Sequence, residues 1–332
     1  MAYAISIDEF SDTVREFASY KLVIQNCSKK TVDEYLLDLR TFFRYIISKR
    51  SGISPESEEF EKINIKEADL DFLRSVTQDD IYDFLLYAGT TRNNRWSAKS
   101  RKLSAIKALY RFLVVKRGFL KENPAANIES PKPKRTLPKY LTVEECMMLL
   151  DAVKNDKESK TVVRDYTIIT LFLNCGMRLS ELVGIDLSDI DRELRSLTVT
   201  GKGNKERIVY LNEACRASLA EYIPLRCCEK NKTVGTNALF LSSRNQRISA
   251  KTVQWLVYKY LDMAGLESKH YSVHKLRHTA ATLMYQTGEV DVRVLKDILG
   301  HEQLNTTQIY THVSNTSMEN AMAKNPLAKV KK

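Results

Sequence analysis

Residues 197–211 read Leu197-Thr-Val-Thr-Gly-Lys-Gly-Asn-Lys-Glu-Arg-Ile-Val-Tyr-Leu211. Two runs rich in Val, Ile, Thr and Tyr flank Gly201-Lys-Gly-Asn204, whose residues favour a tight turn. The expectation is a β-hairpin with strands Leu197 to Thr200 and Glu206 to Leu211 and with Lys202 at its tip. The segments around it read as helix, so this hairpin sets the fold class: mainly α, with one small sheet.

Working outward, Thr142 to Val153 and Thr161 to Cys175 carry helical apolar spacing, and Gly176 is a C-terminal stop. Downstream, Ala250 to Ala264, Lys275 to Gln286 (stopped by Gly288) and Asp291 to Leu299 (stopped by Gly300) read the same way. Upstream, Val32, Leu36, Leu39, Phe43 and Ile46 form one stripe, and Ile81, Phe84 and Leu85 a second. A third runs through Leu103, Ile106, Tyr110 and Leu113, with Ser97 as the expected N-cap. A short helix within Ile7 to Tyr20 precedes them. Ser51 to Asp71 is acidic and lacks a period, so an irregular insertion is expected there. Pro124, Pro131, Pro133 and Pro138 then interrupt the helical pattern. The expected layout is a helical domain over 1–123, a basic extended linker over 124–138 and a mixed α+β domain over 139–332.

The chain has 332 residues, 43% apolar and 28% charged, enough for two domains with cores of their own. No apolar run reaches the length of a membrane span, and MAYAISIDEF has no basic stretch leading into an apolar one, so a cytoplasmic protein is expected. The six cysteines form no CxxC pair and read as reduced thiols. The net charge of +11 is concentrated: Arg92 to Arg135 holds thirteen Lys or Arg and two acids, Glu122 and Glu129. Such a stretch suits a polyanion, nucleic acid first and an anionic membrane surface second. Candidate DNA contacts are Lys99, Arg101, Lys102, Lys107 and Arg111 on the third helix, and Lys132, Lys134 and Arg135 in the linker.

The chemistry-bearing positions are Arg178, Lys202, His274, Arg277, His301 and Tyr310. Arg178 lies at a helix start in Gly176-Met-Arg-Leu-Ser-Glu-Leu182, where Glu181 can brace the guanidinium or cap the helix. His274 and Arg277, in His274-Lys-Leu-Arg-His278, share a helical face. His301 follows a helix stop. Tyr310 stands in polar company in Asn305-Thr-Thr-Gln-Ile-Tyr-Thr-His312. Each alone has an ordinary reading: a surface ion pair, a solubilising lysine, a core tyrosine. Together they suit attack on a phosphodiester, with cations neutralising the phosphate and a phenol displacing one oxygen. His274 and His278 are spaced like half a zinc site, but Lys275 replaces the glutamate that a metalloprotease helix needs, so no metal is expected.

These six positions, in order and in GMRLSEL, GKGN, HKLRH, LGH and IYTH, resemble the tyrosine recombinases of the phage integrase family over about residues 139 to 315. The helical bundle resembles that family's core-binding domain, and the two-domain layout is similar to the Xer recombinases. The 51–71 insertion departs from compact Xer proteins. The resemblance implies a site-specific DNA recombinase with no cofactor, in which Tyr310 forms a 3′-phosphotyrosine. His274 would accept or relay the phenolic proton, and Arg178, Arg277 and His301 would hold the phosphate oxygens. Lys202 would protonate the leaving 5′-oxygen. It further implies four protomers on double-stranded DNA, identical or of two related kinds, with the 311–332 tail docking on a neighbour and the protein nucleoid-associated. Dimer resolution and mobile-element integration or excision both remain open, as do a type IB topoisomerase and a silent DNA-binding protein as alternatives.

Overall fold

The computed structural model describes residues 5–131, 140–201, 203–228, 235–269, 271–288 and 290–300. The chain divides into two compact units, Met1–Arg135 and Thr136–Lys332.

In the first unit, α1 (Asp12–Ser19), α2 (Lys29–Ser51), α3 (Glu58–Lys62), α4 (Leu70–Ser75), α5 (Gln78–Thr90) and α6 (Trp96–Arg111) build a bundle. Local chemistry sets their ends. The Ser28 hydroxyl accepts the Thr31 N–H at the start of α2, and Thr77 and Asp80 cap one another reciprocally at the start of α5. The expected stripes face inward: Leu39, Phe43, Ile46, Phe84, Leu103 and Ile106 are all fully buried. Phe42 meets Phe84 edge-on at 5.1 Å.

One expectation is corrected here. Ser97 is not the N-cap of α6: Arg95 is, its carbonyl accepting the N–H groups of Ala98 and Lys99 at 3.1 and 3.2 Å. Residues 51–71 hold the short helix α3 among irregular stretches, and they bury Phe60, Ile65 and Ala68 in the bundle core. Single apolar anchors between short helical turns leave no period to detect.

The second unit contains α7 (Val143–Lys154), α8 (Val162–Cys175), α9 (Leu179–Gly184), β1 (Ser196–Thr200), β2 (Glu206–Tyr210), α10 (Glu213–Arg226), α11 (Ala250–Met263), α12 (Val273–Gln286) and α13 (Val292–Leu299). Helix α8 is its centre. Thr167 through Leu173 are all buried, so this helix is enclosed on every side, by α7, α10 and α12 among others. Helix α10 had no counterpart in the sequence reading. Its buried residues Cys215, Leu219 and Tyr222 share a face, but Pro224 and exposed polar residues obscure the pattern. The hairpin is antiparallel, with Leu197 opposite Val209 and Val199 opposite Arg207.

Candidate active site

Arg178 reaches its place through two backbone devices. Gly176 takes the left-handed conformation (φ +58°) that ends α8, and Arg178 is the extended residue that starts α9. Glu181, three residues on, performs both tasks expected of it. Its Oε2 accepts the Arg178 backbone N–H at 2.7 Å and its Oε1 accepts Arg178 Nη1 at 2.7 Å.

That carboxylate is fully buried and gathers two more guanidiniums. Arg207 Nη1 lies 2.9 Å from Oε1, and Arg277 Nη1 lies 3.9 Å from Oε2. Burial alone would raise the Glu181 carboxyl, yet the Arg178 N–H and the charges of Arg207 and Arg178 hold it below the ordinary carboxylate value. One negative charge among three positive ones leaves a cationic site.

The C-terminus of α13 completes the cluster. Helix ends leave carbonyls without intrahelical partners. Here three successive ones are each taken by a different arginine: Ile298 by Arg207 Nε at 3.3 Å, Leu299 by Arg277 Nη2 at 2.7 Å, and Gly300 by Arg178 Nη2 at 2.8 Å. Arg277 also donates to the Gly176 carbonyl at 2.8 Å. Close approach needs glycine at two points. A Cβ on Gly176 would stand 2.9 Å from Leu299 Cδ2, and one on Gly300 would stand 2.9 Å from Arg207 Cδ.

His274 stands one turn before Arg277. Helix α12 begins at Val273, two residues earlier than expected, so His274 lies in its first turn. The residue is exposed, and its ring makes a T-shaped contact with His278, with centroids 4.6 Å apart. Loss of water, then the charges of Arg277, Lys275 and Arg178, lowers its pKa from the usual 6.5. The ring therefore stays neutral to lower pH than an ordinary histidine.

Thus Arg178 and Arg277 share one cluster with His274 beside it. Lys202, His301, Tyr310 and the 311–332 tail lie outside the described residues. Two described neighbours adjoin the cluster: Gly201, whose added Cβ would be 3.4 Å from Glu181 Oε1, and Gly300, immediately before His301. Arg207 was missed by the sequence reading. The signal was strand parity: Arg207 shares a face with buried Val209, while Ile208 and Tyr210 point to solvent.

The candidate DNA contacts divide. Arg111 is exposed and Lys99 is half-buried against Gly89. Arg101 pairs with Glu34 and Asp38 at 2.9 and 2.8 Å. Lys102 does not belong on a DNA-facing surface: it is buried and bound to Asp38 at 2.9 Å. Lys107 donates its ammonium to the Ile128 carbonyl. Lys132, Lys134 and Arg135 lie outside the described residues. Among the described residues no group of three or more His, Cys, Asp or Glu could hold a metal, and no helix is long and apolar enough to cross a membrane.

Arginines concentrated around a helix end present fixed positive charge and planar donor forks, which suit an anion such as phosphate. The phage integrase family model matches residues 139–317. A tyrosine recombinase XerC of Caldanaerobacter subterraneus subsp. tengcongensis is 44% identical over 320 residues, covering 96% of this chain and 88% of the relative. The XerC of Natranaerobius thermophilus is 35% identical over 298 residues, 89% of this chain and 91% of the relative. The fold is similar to that of the XerH site-specific recombinase in a post-cleavage complex with its difH substrate (TM-score 0.69, 22% identity, 94% of each chain). It is also similar to that of the Tn1549 transposon integrase in complex with transposon right end DNA (TM-score 0.68, 19% identity, covering 94% of this chain and 98% of the other). The chain belongs to the phage integrase family and, within it, to the Xer-type tyrosine recombinases. It is therefore an enzyme of DNA strand breakage and rejoining, and neither a topoisomerase nor a silent DNA-binding protein is favoured.

Proposed function

We propose that Tyr310 attacks a scissile phosphate of a specific duplex site, leaving a 3′-phosphotyrosine and a free 5′-hydroxyl. The bond energy stays in the phosphotyrosine, so resealing to another strand needs neither ATP nor metal. The phenol, with an ordinary pKa of about 10, must lose its proton during attack. His274, neutral and placed beside the arginines, takes or relays it. Arg178 and Arg277 neutralise the non-bridging oxygens as their charge grows. A guanidinium is a fixed positive charge with N–H donors in a planar fork, which suits the growing charge on phosphate oxygens. His301 adds a hydrogen bond to the same oxygens, and Lys202 protonates the leaving 5′-oxygen.

One observation carries this reading. Three arginines are bound to successive carbonyls of residues 298–300 and share one buried carboxylate, immediately before His301. Preorganisation of this kind lowers a barrier because the dipoles and charges need no rearrangement when phosphate charge develops.

In the same reading, residues 1–123 are a DNA-binding clamp, 139–332 are the catalytic unit with its tail, and 124–138 are the linker. Lys99, Arg101, Arg111, Lys132, Lys134 and Arg135 contact phosphates. Strand exchange between two duplexes calls for four protomers, of one kind or two, joined through the 311–332 tail. The task is resolution of chromosome or plasmid dimers, or movement of a mobile element.

The test is covalent capture on a nicked suicide duplex carrying the site. Wild type accumulates a protein–DNA adduct in the presence of chelator, whereas Tyr310→Phe binds the duplex and yields none. Adduct from the Phe variant would remove Tyr310 from its role.

A further inference from the structure

Arg207 has no part in the chemistry described above, yet it touches both Glu181 and the end of α13. It is the second residue of β2, opposite Val199 of β1, on the hairpin whose loop carries Lys202. Its Nη1 holds Glu181 Oε1 at 2.9 Å, its Nε holds the Ile298 carbonyl at 3.3 Å, and its Cδ stands where only a glycine at 300 leaves room. Its side chain is 16% exposed, so it is not placed to grip DNA from the surface.

We infer that Arg207 is a positioning residue for strand cleavage: it shares Glu181 Oε1 with Arg178 and ties the β1–β2 hairpin to the end of α13. Two consequences follow. Glu181 Oε1 receives cationic donors from Arg178 and Arg207, which leaves the carboxylate one orientation and so gives Arg178 one orientation. The β1–β2 hairpin is also tied to the Ile298 carbonyl, beside the carbonyls that hold Arg277 and Arg178. A planar guanidinium reaches both partners because its donors diverge in a fixed fork, whereas an ammonium on a lysine stem offers one point. The inference rests on the roles proposed for Arg178, Arg277 and Lys202.

The experiment is single-turnover adduct formation on the nicked duplex with full-length wild type, Arg207→Ala, Arg207→Lys, Glu181→Ala and the Arg207→Ala/Glu181→Ala double variant. Misplacement of reacting groups by about 1 Å costs on the order of 100-fold. Arg207→Ala is expected to slow adduct formation at saturating DNA by roughly 10- to 100-fold on that scale, with duplex affinity within about twofold. Arg207→Lys should recover only part of the rate. The double variant should lose less than the product of the two single losses, because both act in part through the same carboxylate. A wild-type rate for Arg207→Ala overturns the inference. So do losses that multiply in the double variant, or a defect that disappears on saturation with DNA. If Arg207→Ala fails to fold by circular dichroism, Arg207→Lys and Arg207→Gln take its place in the same cycle. Tyr310→Phe reports on the nucleophile separately, and were another side chain the nucleophile, the cycle would be read on that adduct.

Discussion

Gly300→Ala is the substitution whose cost follows most directly from the geometry. Gly300 has φ +63°, a conformation that costs a residue with a Cβ about 1–2 kcal/mol. It also faces Arg207 at close quarters: an added Cβ would stand 2.9 Å from Cδ and 3.0 Å from Nε. Something must move. The neighbour is a side chain, ordinarily a cheap thing to displace, but this one is pinned to Glu181 and to the Ile298 carbonyl. Losing those bonds adds about 1–3 kcal/mol. Gly265→Ala is the control, since Gly265 has φ +69° and nothing within 4 Å of an added Cβ. Denaturant titration should place Gly265→Ala about 1–2 kcal/mol below wild type and Gly300→Ala about 2–5 kcal/mol below it. The second difference should show in catalysis: Gly300→Ala slows adduct formation at saturating DNA, and Gly265→Ala does not. Equal destabilisation by the two variants, with equal cleavage rates, would refute the claim that the α13 terminus and Arg207 are mutually fitted.

Further outcomes are expected from the same structure. Lys102→Ala leaves the buried Asp38 with Arg101 as its remaining cationic partner and should cost about 1–3 kcal/mol in the first unit; unchanged stability on thermal unfolding would refute that pairing. Neutralising Lys99, Arg101 and Arg111 should reduce the slope of log affinity against log salt by roughly one unit per lost phosphate contact. An unchanged slope in a filter-binding titration would point those cations elsewhere. His274 has its pKa lowered from 6.5 by loss of water and by Arg277, Lys275 and Arg178. The neutral form therefore persists to lower pH, and the acid limb of the second-order adduct rate should lie below pH 6.5. The unfolded chain takes up that proton first as pH falls, so the folded state loses stability from about pH 6.5 down to the folded pKa. An acid limb above pH 6.5 would reject a neutral His274 as proton acceptor.

Much of the fold was legible in the chain because its signals are local. Gly176 and Gly300 stop helices in the left-handed conformation that glycine favours, and Thr142 caps α7 reciprocally with Glu145. The Gly201-to-Asn204 turn sits between its two strands. Glu181 was read as a brace from spacing alone, and both of its bonds to Arg178 are present. What escaped was non-local. Residues 51–71 pack through isolated anchors, α10 lies under a broken pattern, and Lys102 looks like any other cation on a basic helix until Asp38 is brought to it from 64 positions away.

The amino-acid sequence by itself determined the helices, the hairpin and the roster of chemical groups, because caps, turns and apolar spacing act over a few residues. Only the tertiary structure decided which charges are tools and which are struts. Arg207 and Lys102 differ little from their neighbours in the sequence. Their parts depend on a buried carboxylate and on the end of a distant helix, partners that long-range packing alone delivers.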